Sequence, residues 1–161
     1  MEQQTITQKL ATIQQKLKAP KGQYNSFGKY AYRNAEDILE AVKPLCAETG
    51  TVVLLSDEII NIGNRFYVKA TAALIDVETQ TQLSVSAYAR EEEEKKGMDG
   101  SQVTGASSSY ARKYALNGLF AIDDTKDSDT TNTTGADKNT VKGKQTPLVA
   151  TKEQLAEAAA L

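Results

Sequence analysis

The chain has 161 residues, 40% of them hydrophobic and 25% charged, and a formal net charge of −2. That suffices for one domain with a real core but not for two of ordinary size, and no apolar run approaches the roughly 20 residues that cross a bilayer. Histidine is absent and Cys46 is the single cysteine, which excludes imidazole bases, Ser/His/Asp and Cys/His constellations, an intrachain disulfide and a thiolate zinc cluster.

Met1 to Leu10 is polar and lacks the apolar region of a signal peptide, so a cytosolic location is expected. Ile6, Leu10, Ile13 and Leu17 recur at helical spacing before Pro20 and Gly22, which predicts a first helix over residues 5–18. An aromatic-rich stretch, 23–33, has Gly28 at its centre and reads as a short hairpin. Asn34 then stands as an N-cap, with Glu36 and Asp37 in the first turn, for a second helix that ends at Gly50 and meets a kink at Pro44. Cys46 shares the apolar face of that helix with Ile38, Leu39, Val42 and Leu45 and is expected in the core.

Three segments rich in Val, Ile, Thr and Tyr follow, at 51–62, 65–77 and 81–90, with Gly63-Asn64 and Glu78-Thr79 between them. They predict an antiparallel meander. A last helix is expected over 101–117, with Gly118 as its C-terminal glycine. The order is α-β-β-α-β-β-β-α, an α+β domain over residues 1–122. Residues 123–150 are rich in Asp, Thr, Asn, Gly and Lys and read as a flexible linker, because such a segment buries too little apolar surface to offset its ordering entropy. Residues 151–161, TKEQLAEAAAL, read as a short helix or partner-binding tail.

Residues 1–122 hold 14 cations and 14 anions, so any affinity for nucleic acid must come from segregation of charge onto one face. Alternation provides one such face. With a two-residue turn pairing Val77 with Gln80, Tyr67 falls opposite Arg90 and Lys69 opposite Tyr88. Arg65, Tyr67, Lys69, Tyr88 and Arg90 then share one sheet face, where cations suit phosphates and rings stack bases without regard to sequence. An ordinary solvated sheet face has the same composition. In the hairpin, alternation sends Lys29 and Arg33 to one side and Tyr30 and Tyr32 to the other. In the last helix, Val103, Tyr110 and Tyr114 share a face with Lys113 at its rim, and Arg112 points nearly opposite. Glu91 to Glu94 is a run on one segment and reads as a solvated loop or a salt-bridge donor to a neighbouring subunit; metal sites usually draw on separated carboxylates. No Gly-x4-Gly-Lys-Ser/Thr loop is present, so ATP use is not indicated.

The run GMDGSQVTGASSSYARKYALNGLFAIDDTKDSD at 97–129, with YAYRNAEDILEAVKPLCAETG at 30–50 and SAYAREEEEKKGMDGSQ at 86–102, resembles the ERF (essential recombination function) superfamily. These are phage and prophage proteins that anneal single-stranded DNA. The resemblance covers most of residues 5–129. It implies a strand-annealing-mediator-like fold, a ring or filament of identical subunits, and ATP-independent annealing with no cofactor, in the cytoplasm of a bacterial host. It also implies that Arg112 and Lys113 line the DNA groove, the first as a phosphate fork and the second as a point contact. Single-stranded DNA and the annealed duplex are the expected ligands, and the tail would contact a phage exonuclease or a host single-strand-binding protein. The residues by themselves leave open a non-enzymatic protein-interaction module, a metal-dependent nuclease using Glu91 to Glu94 and Asp99, and RNA as the ligand.

Overall fold

A computed structural model describes residues 3–122 of the chain. The linker and the C-terminal helix expected from the sequence lie outside the described residues. Helix α1 spans Ile6–Lys16, and Thr5 caps it in a reciprocal box with Gln8. Strands β1 (Gln23–Asn25) and β2 (Tyr30–Tyr32) form the hairpin. Helix α2 runs Ala35–Thr49 without interruption at Pro44, capped by Asn34 with Asp37 and ended by Gly50 in the left-handed conformation. The sheet strands are β3 (Thr51–Ile62), β4 (Arg65–Asp76) and β5 (Gln82–Glu91). Helix α3 covers Gly100–Phe120, with Asp99 and Gln102 forming its capping box. The result is α+β with two antiparallel sheets, ordered β1-β2 and β3-β4-β5.

The three helices gather on one face of the larger sheet. Inward-facing Val68, Ala70, Ala72 and Leu74 of β4 are buried with Ile13, Ile38, Val42, Leu116, Leu119 and Phe120 from the helices, and Cys46 joins them. Burial raises the Cys46 thiol pKa, against a smaller opposing hydrogen bond to Thr51, as fits a side chain packed as a small hydrophobe. Small residues at α3 positions 107, 111 and 115 are buried, which lets the helix lie close to β4 and β5. The opposite sheet face is covered by no described element.

Two local expectations are corrected. Gly118 is not the C-terminal glycine of α3: the helix continues to Phe120, and Ala121 takes the left-handed cap with φ 51°. Gly118 instead faces β5, where a Cβ would stand 2.9 Å from Val85 Cγ1. Gly118→Ala is therefore expected to destabilise the fold by about 1–3 kcal/mol through overpacking, read as a lower urea midpoint at unchanged slope. The β4–β5 connection is also wider than a two-residue turn. Asp76 Oδ1 accepts the backbone N–H groups of Glu78 and Thr79, at 2.9 and 3.2 Å, and Gln80 adopts φ 59°. The register nonetheless matches the expected one, because Asp76 N still donates to Thr81 O at 2.9 Å. Tyr67 therefore faces Arg90, and Lys69 faces Tyr88.

Below the turn, the Asp76 carboxylate is fully buried and meets Lys9 Nζ of α1 at 2.8 Å. The Lys9 ammonium holds the Asp76 carboxyl below its ordinary value; desolvation opposes this and the backbone N–H groups of Thr79 and Glu78 add to it. Lys9 carries no signal in the apolar stripe of α1. A buried cation on that face becomes legible only when β4 delivers its carboxylate.

Candidate nucleic-acid interface

Aromatic side chains normally supply core volume. The seven tyrosines and three phenylalanines of this chain do otherwise, since Phe120 is the only one of the ten that is buried. Aliphatic residues and alanine fill most of the core, and six of the other nine rings lie in two groups.

The first group surrounds a cleft of about 320 Å³ between the hairpin and the solvent-facing side of α3, lined by Tyr30, Tyr32, Arg33, Tyr110 and Lys113, with Asn25 and Asn34 at its margin. Tyr30 and Tyr32 meet edge to face, with centroids 6.2 Å apart. Tyr110 and Tyr114 are one helical turn apart, as i and i+4 neighbours must be. Their rings stack at 6.4 Å with 26° between planes. Lys113 Nζ sits 5.2 Å from the Tyr110 centroid and 5.3 Å from that of Tyr114, so the ring quadrupoles hold the ammonium on the aromatic ledge. Tyr110 and Tyr114 are 52% and 49% exposed. On the far side of Tyr110 a second cleft, about 270 Å³, continues toward β5 past Tyr114, Arg90 and Lys95.

The second group lies on the uncovered sheet face. Arg65, Tyr67 and Lys69 of β4 and Tyr88 and Arg90 of β5 share that face by register. Lys69 is engaged there by Glu58 of β3 at 2.6 Å, which raises the lysine pKa chiefly through that hydrogen bond. Arg90 Nε lies 3.6 Å from Glu92. Arg65 sits at the end of β4 opposite Ile62.

Two residues stand apart from the cleft. Arg112 projects from the side of α3 nearest β3. Its Nε lies 3.0 and 2.9 Å from the two Asp57 carboxylate oxygens and its Nη2 lies 2.9 Å from Oδ2. Ser108 donates to the same carboxylate. Partial burial works against ionised Asp57, but the hydrogen bonds from Arg112 and Ser108 outweigh it and hold the carboxyl below its ordinary value. The Arg112 fork thus fastens α3 to β3. Lys29 lies in the hairpin turn with φ 54°.

The alternation expected to separate the hairpin cations from the tyrosines does not hold, because β2 is only three residues long. Arg33 falls beyond its end, is 7% exposed, and lines the same cleft as Tyr30 and Tyr32. Of the residues picked from the sequence, the fold therefore brings Arg33, Tyr110 and Lys113 together, and separately Arg65, Tyr67, Lys69, Tyr88 and Arg90. Tyr30, Tyr32 and Tyr114 join the first set. Helical spacing already marked Tyr114, whereas nothing local in the sequence places the hairpin over α3. Glu91 to Glu94 line one cleft with Arg65 and Arg90; Glu91 accepts from Thr104, Glu92 lies near Arg90, and among the described residues no group of three or more acidic side chains is placed to hold a metal ion.

A sequence profile of the ERF superfamily matches residues 6–156. The "Essential recombination function protein" of Salmonella phage P22 is 66% identical over 122 residues, which is 76% of this chain and 58% of that protein. The chain thus spans well under two thirds of the length of that relative. No solved structure matches it.

Proposed function

Since this chain belongs to the ERF superfamily, we propose that it acts in phage recombination as a non-enzymatic, ATP-independent protein that binds single-stranded DNA and anneals complementary strands. The observation that carries this reading is the exile of nine aromatic rings from the core, with cations among them. Surface aromatics stack exposed bases at about 1–3 kcal/mol each without regard to sequence, while lysine and arginine follow the phosphates. Duplex has no exposed base faces to offer, so the same surface favours unpaired strands.

In this reading a strand crosses the ledge of Tyr110, Lys113 and Tyr114, with Arg33, Tyr30 and Tyr32 forming the opposite wall. Arg65, Tyr67, Lys69, Tyr88 and Arg90 offer a second surface of the same chemistry on the other side of the sheet. Annealing itself needs no fuel, because stacking releases roughly 1.4 kcal/mol per base-pair step. The protein has only to keep strands extended and accessible.

Self-association into a ring or filament answers the neutral charge of residues 1–122. Each subunit adds few phosphate contacts, but a row of subunits joins them into one continuous track. Exposed Val52 and Leu54 on the uncovered sheet face support such an assembly, since contact between copies would remove them from water. The expected ligands are single-stranded DNA and the annealed intermediate. Recruitment of an exonuclease or a host single-strand-binding protein falls to residues 123–161 in this reading, with the annealing core in 1–122 and action in the bacterial cytoplasm.

The test is annealing of two labelled complementary oligonucleotides without nucleotide cofactor across a salt series. Acceleration that weakens as salt rises is the expected result. A chain that neither binds nor anneals the strands at low salt would refute the proposal.

A further inference from the structure

We propose that Phe27, at the tip of the β1–β2 hairpin, is a stacking wedge that enters between neighbouring bases of the strand lying along the cleft. This rests on the single-strand reading above and assigns the hairpin tip a contact of its own. Phe27 is 98% exposed. Singly scattered surface apolar residues are ordinary, but this one stands on a built turn.

Asn25 Oδ1 accepts the backbone N–H groups of Phe27 and Gly28, at 3.0 and 2.8 Å, and Asn25 Nδ2 donates to Tyr30 Oη at 3.2 Å. Gly28 lies so close to Tyr30 that a Cβ would fall 2.3 Å from ring atom Cε1. Lys29 closes the turn in the left-handed conformation. The tip is thereby tied to Asn25 and Tyr30, which also line the cleft. Strand β2 therefore carries an aromatic wall facing the cleft, and three positions before Tyr30 the turn presents an uncovered ring on a backbone tied to Asn25.

The chemistry selects the partner. An uncovered phenyl ring with both faces in water, followed within two residues by the Lys29 ammonium, suits a polymer that presents flat π-faces on an anionic backbone. Entry of a ring between two bases breaks one stack and makes two. In a single strand no base pair has to be broken, so the unstacking cost that duplex wedges bear is reduced. The bound strand would be interrupted once per subunit, leaving short runs of accessible bases between wedges.

The chain contains no tryptophan, so Phe27→Trp in the full chain makes a single reporter at the tip, excited where tyrosine does not absorb. Indole emission is expected to fall when an oligothymidine binds and to stay unchanged when an abasic strand of the same length binds, with binding followed separately by anisotropy. Phe27→Ala should weaken oligothymidine binding about fivefold or more, and Phe27→Leu should not restore it, because leucine keeps the apolar bulk but has no ring to stack. Unchanged indole emission on a strand that anisotropy shows to be bound, or equal quenching by the abasic strand, overturns the wedge and leaves the cleft reading intact. Failure of the unaltered chain to bind any strand overturns both.

Discussion

Charge reversal at the aromatic ledge, Lys113→Glu, is expected to lower affinity for single-stranded DNA at least tenfold at about 0.1 M salt and to remove strand annealing with it. The ammonium lies against the faces of two neighbouring rings and lines the same cleft as Arg33. Glutamate there loses a phosphate contact and adds repulsion beside the remaining cations. In an assembly the change recurs in every subunit, so the salt dependence should become shallower by about one counterion per subunit engaged. Lys113 is partly buried but belongs to no core cluster, so far-UV circular dichroism and light scattering should match the unaltered chain. Anisotropy titrations at several salt concentrations decide the matter: binding that keeps its strength and its salt slope would place the strand elsewhere, with the sheet face of Tyr67 and Tyr88 next in line.

Arg112, the neighbouring residue, is the wrong place for that experiment despite its position in the sequence. Its guanidinium is fixed on Asp57 by three contacts, and glutamate at 112 would set two carboxylates against each other where α3 meets β3. Loss of DNA binding in Arg112→Glu would therefore report a disturbed fold as readily as a lost phosphate contact. Only a variant that keeps its secondary structure would test the proposed DNA contact.

The largest effect on stability is expected from Lys9→Met. Removing the lysine leaves the buried Asp76 carboxylate without its cation, and breaking one side of a buried pair costs far more than the pair contributes net. A fall in melting temperature on the order of 10 °C is expected for a domain of this size. The double replacement Lys9→Met/Asp76→Asn should recover part of it, since the amide keeps an oxygen for the turn N–H groups of Glu78 and Thr79 and carries no charge. The pH dependence has a definite sign. Asp76 has a depressed pKa in the folded state, so the stability it contributes is complete above the unfolded value of about 3.9 and is lost as pH falls through the lower folded value. The advantage of the unaltered chain over Lys9→Met should accordingly be full at pH 7 and shrink in strong acid. Equal melting temperatures at pH 7 would show that the pair carries no such role.

Local signals in this chain were strong where the physics is local. Thr5, Asn34 and Asp99 stand before helical patterns, and each caps through a reciprocal bond with the residue three positions on. Strict two-residue alternation in 65–76 and 82–91 sets the sheet register even though the turn is wider than two residues, because slipping one residue would send Val68, Ala70 and Ala72 to solvent. The motif run through Tyr110 to Tyr114 pointed to the family, and helical periodicity alone marked Tyr110, Lys113 and Tyr114 as neighbours.

Tertiary structure decided the rest. Arg33 and Lys113 are 80 positions apart, and no periodicity links a hairpin to the helix it overlies. The three-residue strand β2 ended the alternation that would have kept Arg33 away from Tyr30 and Tyr32. The family resemblance implied a phosphate fork at Arg112, and the fold sets Asp57 of β3 against that guanidinium, while the end of β4 supplies a buried carboxylate to Lys9. Propensity, capping and alternation involve neighbours in the chain and can be read along it. Pairing of charges and walling of a cleft depend on which faces meet when Ile13, Ile38, Leu74, Leu116 and Phe120 leave water together, and that outcome belongs to the packed core.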